Sequence, residues 1–278
     1  MPPQSLVDYY ADSGVGVVTL RRGEDGNRLT PEFLEELEAA FKSAFEAPEV
    51  RAVLLRSNGP SFCLGMDLGR LASSDSPDDE RILATAISRY GRLLLSIYLA
   101  AKPVVAVVRG EVIAGGVGLV AACDIVLAEE TAAFELSEVL FGLIPANVLP
   151  YLFSLRLSPQ KTRYLILSSK RFLAPEAAGI GLVDEAYTAE ALEKGVRSLL
   201  RRLLRSSPEA LESAKLFTQE IYGLSHEEIR ARAESTLLEL ATADGVRSAL
   251  RAFEGGELPP WFESFRPSRP LSIVEKNE

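Results

Sequence analysis

The sequence predicts an α/β fold in which short buried strands alternate with amphipathic helices, followed by a helical C-terminal part. Three observations predict it. Val104 to Val108 is an apolar, mostly β-branched run bounded by Pro103 and Gly110, the pattern of a buried strand. Phe33, Leu37, Phe41 and Phe45 recur at helical spacing, so the helix that carries them lays one aromatic face on a sheet. The strand–helix–strand order set up around that helix recurs twice more along the chain.

Composition bounds the class. The chain has 278 residues, enough for a large core, with 47% apolar and 25% charged residues, a globular balance. A net charge of −9 without a Lys/Arg-rich run argues against nucleic-acid binding. The two cysteines, Cys63 and Cys123, do not make a disulfide framework. Met1 to Gln4 lacks the regions of a signal peptide, and the apolar stretch Leu93 to Val108 is broken by Lys102-Pro103. A cytoplasmic protein with no membrane span is expected.

The elements follow in order. Gly16 to Leu20 predicts a strand, then a polar turn runs over Arg21 to Arg28. Thr30-Pro31 predicts an N-cap and first helical residue, and Val50 to Arg56 the next strand. Ser73 to Glu80 is acidic and predicts a mobile loop over a site. Leu83, Ile87, Tyr90, Leu94 and Ile97 mark an amphipathic helix. Past the Val104 strand, Ala114-Gly115-Gly116 opens an apolar segment ending at Cys123-Asp124, and Ile125 to Ala128 and Thr131 to Leu136 extend the sheet. Helices are predicted from Ser158-Pro159 to Ser168, from Pro175 to about Gly179-Gly181, over Leu192 to Leu204, and from Pro208 onward. With no long linker or internal repeat, the chain divides into a core over 1–205 and a helical subdomain over 206–278.

The chemistry concentrates at Gly115-Gly116. Glycines at a strand-to-helix junction leave the first helical N–H groups bare, where the helix dipole adds positive charge. Such a place binds a phosphate or stabilises an oxygen that turns negative during reaction. No metal-ligand cluster is present and no cofactor is expected. The one histidine, His226, sits in a polar helix, so Cys–His or Ser–His–Asp chemistry is disfavoured.

Four segments in register carry a resemblance: Lys102 to Asp124, Ser61 to Leu68, Phe134 to Pro145, and Ala174 to Val183. They resemble the enoyl-CoA hydratase/isomerase (crotonase) superfamily. The resemblance implies a crotonase-like spiral of ββα turns; periodicity alone equally allows an ordinary α/β sheet. It implies an oxyanion hole made by the backbone N–H groups of Met66 and Gly115. It also places a catalytic carboxylate at Glu138, whose apolar neighbours would raise its pKa toward a useful range. The hydratases' other glutamate falls at Gly118, which puts routine hydration in doubt. Gly116, Asp67, Asn147 and Tyr90 are the substrate-binding candidates. Structural alternatives stand beside them: Asp67 as a helix cap, Asn147 fastening its own turn, Tyr90 a core aromatic with its hydroxyl at the rim.

The whole pattern is similar to the polyketide β-branching dehydratases of that superfamily. Those remove water from a 3-hydroxy-3-methylglutaryl group on an acyl carrier protein, giving the 3-methylglutaconyl form. The departing hydroxyl would take its proton from Glu138, from the substrate's own carboxylate, or from water near Asn147. The tail Phe253 to Trp261 lacks the basic pair that the family uses for CoA, which is compatible with a protein-borne substrate. Arg70, Arg81, Arg89, Arg266 and Arg269 are leads for meeting an acidic carrier. The resemblance further implies a homotrimer or hexamer. An enoyl-thioester isomerase, an acyl-thioester decarboxylase and a non-catalytic carrier-binding subunit are the alternatives.

Overall fold

A computed structural model describes residues 5–67 and 77–271. In chain order its elements are β1 (Val7–Asp12), β2 (Val15–Leu20), α1 (Pro31–Glu46), β3 (Ala52–Ser57), β4 (Ser61–Cys63), α2 (Pro77–Leu99), β5 (Val104–Val108), β6 (Glu111–Ile113) and α3 (Gly115–Ala122). There follow β7 (Ile125–Glu129), β8 (Ala133–Glu135), a 3-10 turn (Glu138–Phe141), a helical turn (Leu149–Tyr151) running into a π turn (Leu152–Arg156), and α4 (Pro159–Ser168). The chain then forms β9 (Phe172–Leu173), α5 (Ala174–Ile180), β10 (Glu185–Tyr187), α6 (Ala189–Leu203), α7 (Pro208–Glu220), α8 (His226–Thr242) and α9 (Asp244–Glu254).

Among the described residues the strands form two sheets, ordered β1-β2-β3-β5-β7-β10 and β4-β6-β8-β9. The pairs β3/β4, β5/β6 and β7/β8 each give one strand to each sheet before the chain turns back. That is the spiral of ββα turns. Beyond the β1–β2 hairpin the large sheet is parallel, and both of its faces are covered. Val53, Leu55, Val104, Ala106 and Val108 face α1 to α3, while Ala52, Leu54, Val105 and Val107 face α6 and the tail residues Phe265 and Leu271.

The strand β1 is absent from the sequence expectation, and its register shows why it forms. Val7 to Asp12 pairs antiparallel with Leu20 to Val15 across Ser13 and Gly14, both at positive φ (50° and 80°). Two left-handed residues match the twist of the strands they join. Helix α1 starts as predicted, with the Thr30 hydroxyl accepting the Phe33 N–H. In α2 the buried stripe is Ala86, Tyr90, Leu93, Leu94 and Ile97, whereas Ile87 is exposed. Asp78–Leu99 is long and apolar enough to cross a membrane by length and composition, and that stripe is the part of it buried in the core. The acidic segment expected as a loop begins α2 from Pro77, and its earlier part lies outside the described residues, as does Arg70.

In the C-terminal part, α7 and α8 have no buried residue, while the tail buries Phe265 and Leu271; polar bonds fasten both. The Lys215 ammonium of α7 lies 2.8 Å from Asp124, at the end of the central segment, and Gln219 donates to the Tyr98 carbonyl. Desolvation raises the Asp124 pKa even with Lys215 beside it. Farther on, Arg56 donates to the Pro270 and Leu271 carbonyls, and Arg51 to those of Ser206 and Trp261. These bonds draw the tail back over the sheet.

Candidate active site

The junction between β6 and α3 turns on Ala114, held at φ 50° and ψ −118°, outside the comfortable range of an L-residue. Such a conformation persists only where its surroundings over-determine it. Its N–H donates to the Glu135 carbonyl, which ties the turn to β8. Gly115 then opens α3, where the first N–H groups have no acceptor within the helix. A Cβ at Gly116 would overlap the carbonyl oxygen of Cys63, so the turn presses directly on β4.

The second loop meets it there. Gly65 has φ 77°, and a Cβ on it would lie 3.0 Å from the Gly115 nitrogen. Met66 forms a parallel bridge with Leu29, with the Leu29 N–H donating to the Gly65 carbonyl. A parallel bridge runs through the residues flanking its centre, so the Met66 N–H is not one of its bonds. The fold therefore brings Gly65, next to Met66, against Gly115 of the distant junction, backbone to backbone. Gly116 lies buried behind them, too enclosed by Cys63 to face a ligand with a side chain. Asp67 is half-buried just past the bridge.

Glu138 opens the 3-10 turn after β8, which the left-handed Gly142 closes. Its Oε2 is buried and, among the described residues, has no hydrogen-bond partner. Desolvation raises its pKa above the ordinary 4.5. The expected environment needs one correction. Leu140 and Phe141 are both 65% exposed, so they do not enclose the carboxylate. Burial comes from the core behind the turn, where Leu136 and Ser137 are buried.

Tyr90 also differs from expectation. Its hydroxyl is not at the rim: the residue is 4% exposed, and the hydroxyl donates to the Gly115 carbonyl at 2.5 Å. Burial pushes its pKa well up, with the Cys63 and Glu138 charges adding to the rise. Asn147 donates its side-chain amide to the Ile87 carbonyl at 3.1 Å and so ties its loop to α2. Arg89, a lead for a carrier contact, pairs instead with Glu35 and Glu38 of α1, and Arg81 lies 3.6 Å from Asp78. Arg269 stacks on the Tyr10 ring, and the Arg266 carbonyl accepts the Ser13 hydroxyl. Burial pushes both thiols, Cys63 and Cys123, up to about 12, and His226 is exposed at the start of α8. A depression of about 570 Å³ along α4, lined by Arg163, Tyr164 and Leu167 among others, includes none of these groups.

A desolvated carboxylate whose charge reaches Tyr90, the residue bonded to the Gly115 turn, suits proton abstraction next to a carbonyl whose oxygen becomes anionic. Residues 10–264 match the enoyl-CoA hydratase/isomerase family. The chain belongs to that family. Among its relatives is the bacillaene synthase dehydratase PksH of Bacillus subtilis, 34% identical over 89% of this chain and 93% of that one. A peroxisomal Δ(3,5)-Δ(2,4)-dienoyl-CoA isomerase of Arabidopsis thaliana is 30% identical over 76% and 79% of the two chains. A solved enoyl-CoA hydratase of Mycobacterium smegmatis superposes with a TM-score of 0.85 at 26% identity, covering 93% of this chain and 99% of that one. For this family member, the sequence departure at Gly118 has a visible counterpart: Tyr90 and Val148 fill the space that a side chain there would need.

Proposed function

We propose that the protein dehydrates a 3-hydroxy-3-methylglutaryl thioester, carried on an acyl carrier protein, to the 3-methylglutaconyl thioester. The observation that carries this reading is Glu138, a half-buried carboxylate with one buried oxygen that has no hydrogen-bond partner among the described residues, set against a filled position at Gly118, in a relative of a dehydratase. With no carboxylate at 118, one group must move both protons: the proton taken from carbon is returned to the oxygen that leaves, and the addition of water would retrace the same path.

In this mechanism ionised Glu138 takes the C2 proton, and the electrons of the broken C–H bond move into the thioester carbonyl. The Met66 and Gly115 N–H groups hold the resulting enolate oxygen. The enolate then reforms the carbonyl and makes the C2–C3 double bond as the C3–O bond breaks. Glu138 gives its proton to the departing hydroxyl, which leaves as water, and the carboxylate is restored. A raised pKa serves both halves, since the group must accept and release a proton near neutral pH. Losing one hole donor is expected to slow turnover by about 10²–10³.

A carrier-borne substrate is compatible with the tail Phe253 to Trp261, which has no basic pair. Self-association as a trimer or hexamer is part of the same proposal; Leu237, Leu238 and Phe253, 66–75% exposed, offer the apolar surface for it. Isomerisation of an enoyl thioester is the second reading, favoured by the same single carboxylate and the Arabidopsis relative. The test is mass spectrometry of a carrier loaded with 3-hydroxy-3-methylglutarate. Loss of one water with the wild type and not with Glu138→Gln is expected. An unchanged mass with this substrate, together with double-bond migration in an enoyl thioester, would replace the dehydratase by the isomerase.

A further inference from the structure

Tyr90 and Gly118 come from different helices, α2 and α3, and meet as one fitted pair. Positions 115 and 118 lie on the same face of α3, one turn apart. The Tyr90 phenol lies against that face: a Cβ at 115 would come 3.4 Å from its oxygen, and a Cβ at 118 would overlap it. Only glycine at 118 admits the phenol, and the phenol bars any carboxylate there. The hydroxyl, inside the core, is spent on the carbonyl of Gly115.

That carbonyl is the first of α3 and belongs to the peptide unit that continues into the Gly116 N–H. A buried hydrogen bond to a carbonyl polarises its peptide and fixes its plane. The bond thus clamps the first turn of α3 from one side while Gly65 and Cys63 press on it from the other.

We propose that Tyr90 is the positioning residue of the amide turn, its hydroxyl occupying the space left at Gly118 and holding the Gly115 carbonyl so that the turn keeps its place against the Met66 loop. This rests on the proposed function for what the amides do, though not for where they are held. Tyr90 touches no reacting atom in this arrangement. Its high pKa keeps it a neutral donor across the working range.

Three variants test the pair: Tyr90→Phe, Gly118→Ala, and both together. Tyr90→Phe is expected to lower kcat about tenfold with KM unchanged, the effect of one buried hydrogen bond. Its pH profile should keep the wild-type shape, whereas a proton-donating Tyr90 would take the alkaline limb with it. Gly118→Ala should lower kcat by displacing the hydroxyl. In the Tyr90→Phe background it should add little, because the oxygen it meets is gone. The Val148 methyl, 2.9 Å from the added Cβ, must give way in both backgrounds and so cancels from the cycle.

Substrate-free hydrogen–deuterium exchange of the fragment over residues 114–122 provides an arm that needs no turnover. Each single variant should speed exchange there, with melting temperatures recorded to show that the fold persists. Unchanged exchange in Tyr90→Phe would overturn the proposal, as would fully additive effects of the two substitutions. If the variants exchange as expected but the wild type converts no thioester, the functional reading fails and the clamp stands.

Discussion

On the amide side of the site, Gly65, Gly115 and Gly116 are buried, and their neighbours leave little or no room for a side chain. On the carboxylate side, Glu138 stands on a 3-10 turn whose next apolar residues, Leu140, Phe141, Leu143 and Ile144, are 48–67% exposed. The first side works through backbone, so its geometry is enforced by packing and its function is inseparable from stability. The second works through one side chain whose value lies in poor solvation, so there function is held at a cost to stability. Substitutions on the two sides should therefore separate activity from stability in different ways.

The largest effect belongs to Glu138→Gln, expected to lower turnover by about 10²–10⁴ while raising the melting temperature at neutral pH. The sign follows from burial. The folded-state pKa of Glu138 is raised, so the folded chain holds this proton to higher pH than the unfolded chain does, and ionising it in place costs stability. The gain from glutamine should be full above the raised pKa. It should shrink as pH falls, and vanish below the ordinary carboxylate value of 4.5. A melting temperature that drops at neutral pH would break the contrast between the two sides.

Next comes Gly116→Ala, expected to lose turnover by about 10²–10³ and to lower the melting temperature as well, because its Cβ would overlap the Cys63 carbonyl. A stable, inactive Gly116→Ala protein would show that the turn adapts without stress. The acid limb of the wild-type pH profile sharpens the same comparison: activity should fall, as pH drops, through a pKa above 4.5 and not at it. Asn147→Ala should destabilise by about 1 kcal/mol in a urea titration, having lost the bond to Ile87. Phe141→Ser, at a 65% exposed position, should change stability by less than about 0.5 kcal/mol.

How far the sequence could be read follows the same division. Strand β5, the Thr30 cap of α1 and the Ser158 cap of α4 were legible because each depends on a local pattern. Strand β1 has its local signal only in the hairpin turn Asp12-Ser13-Gly14. Strands β4 and β6, of three residues each, are too short to show a period. The glycines of the amide side announced themselves as glycines. Register marks Glu138 as the candidate carboxylate, but the apolar neighbours Leu140 and Phe141 are exposed and do not enclose it. The inward turn of Tyr90 and the arginine bonds to the tail carbonyls left no local trace, since both depend on residues far apart in sequence.

The most direct test of the central claim, that Glu138 works at C2 against an amide-held enolate, is deuterium uptake at that carbon. An acyl carrier thioester lacking the 3-hydroxyl, incubated with the protein in deuterium oxide, can exchange its C2 protons but cannot lose water. The wild type should add deuterium at C2, and Glu138→Gln should not. Exchange that survives in Glu138→Gln would contradict the account and move the base elsewhere in the site.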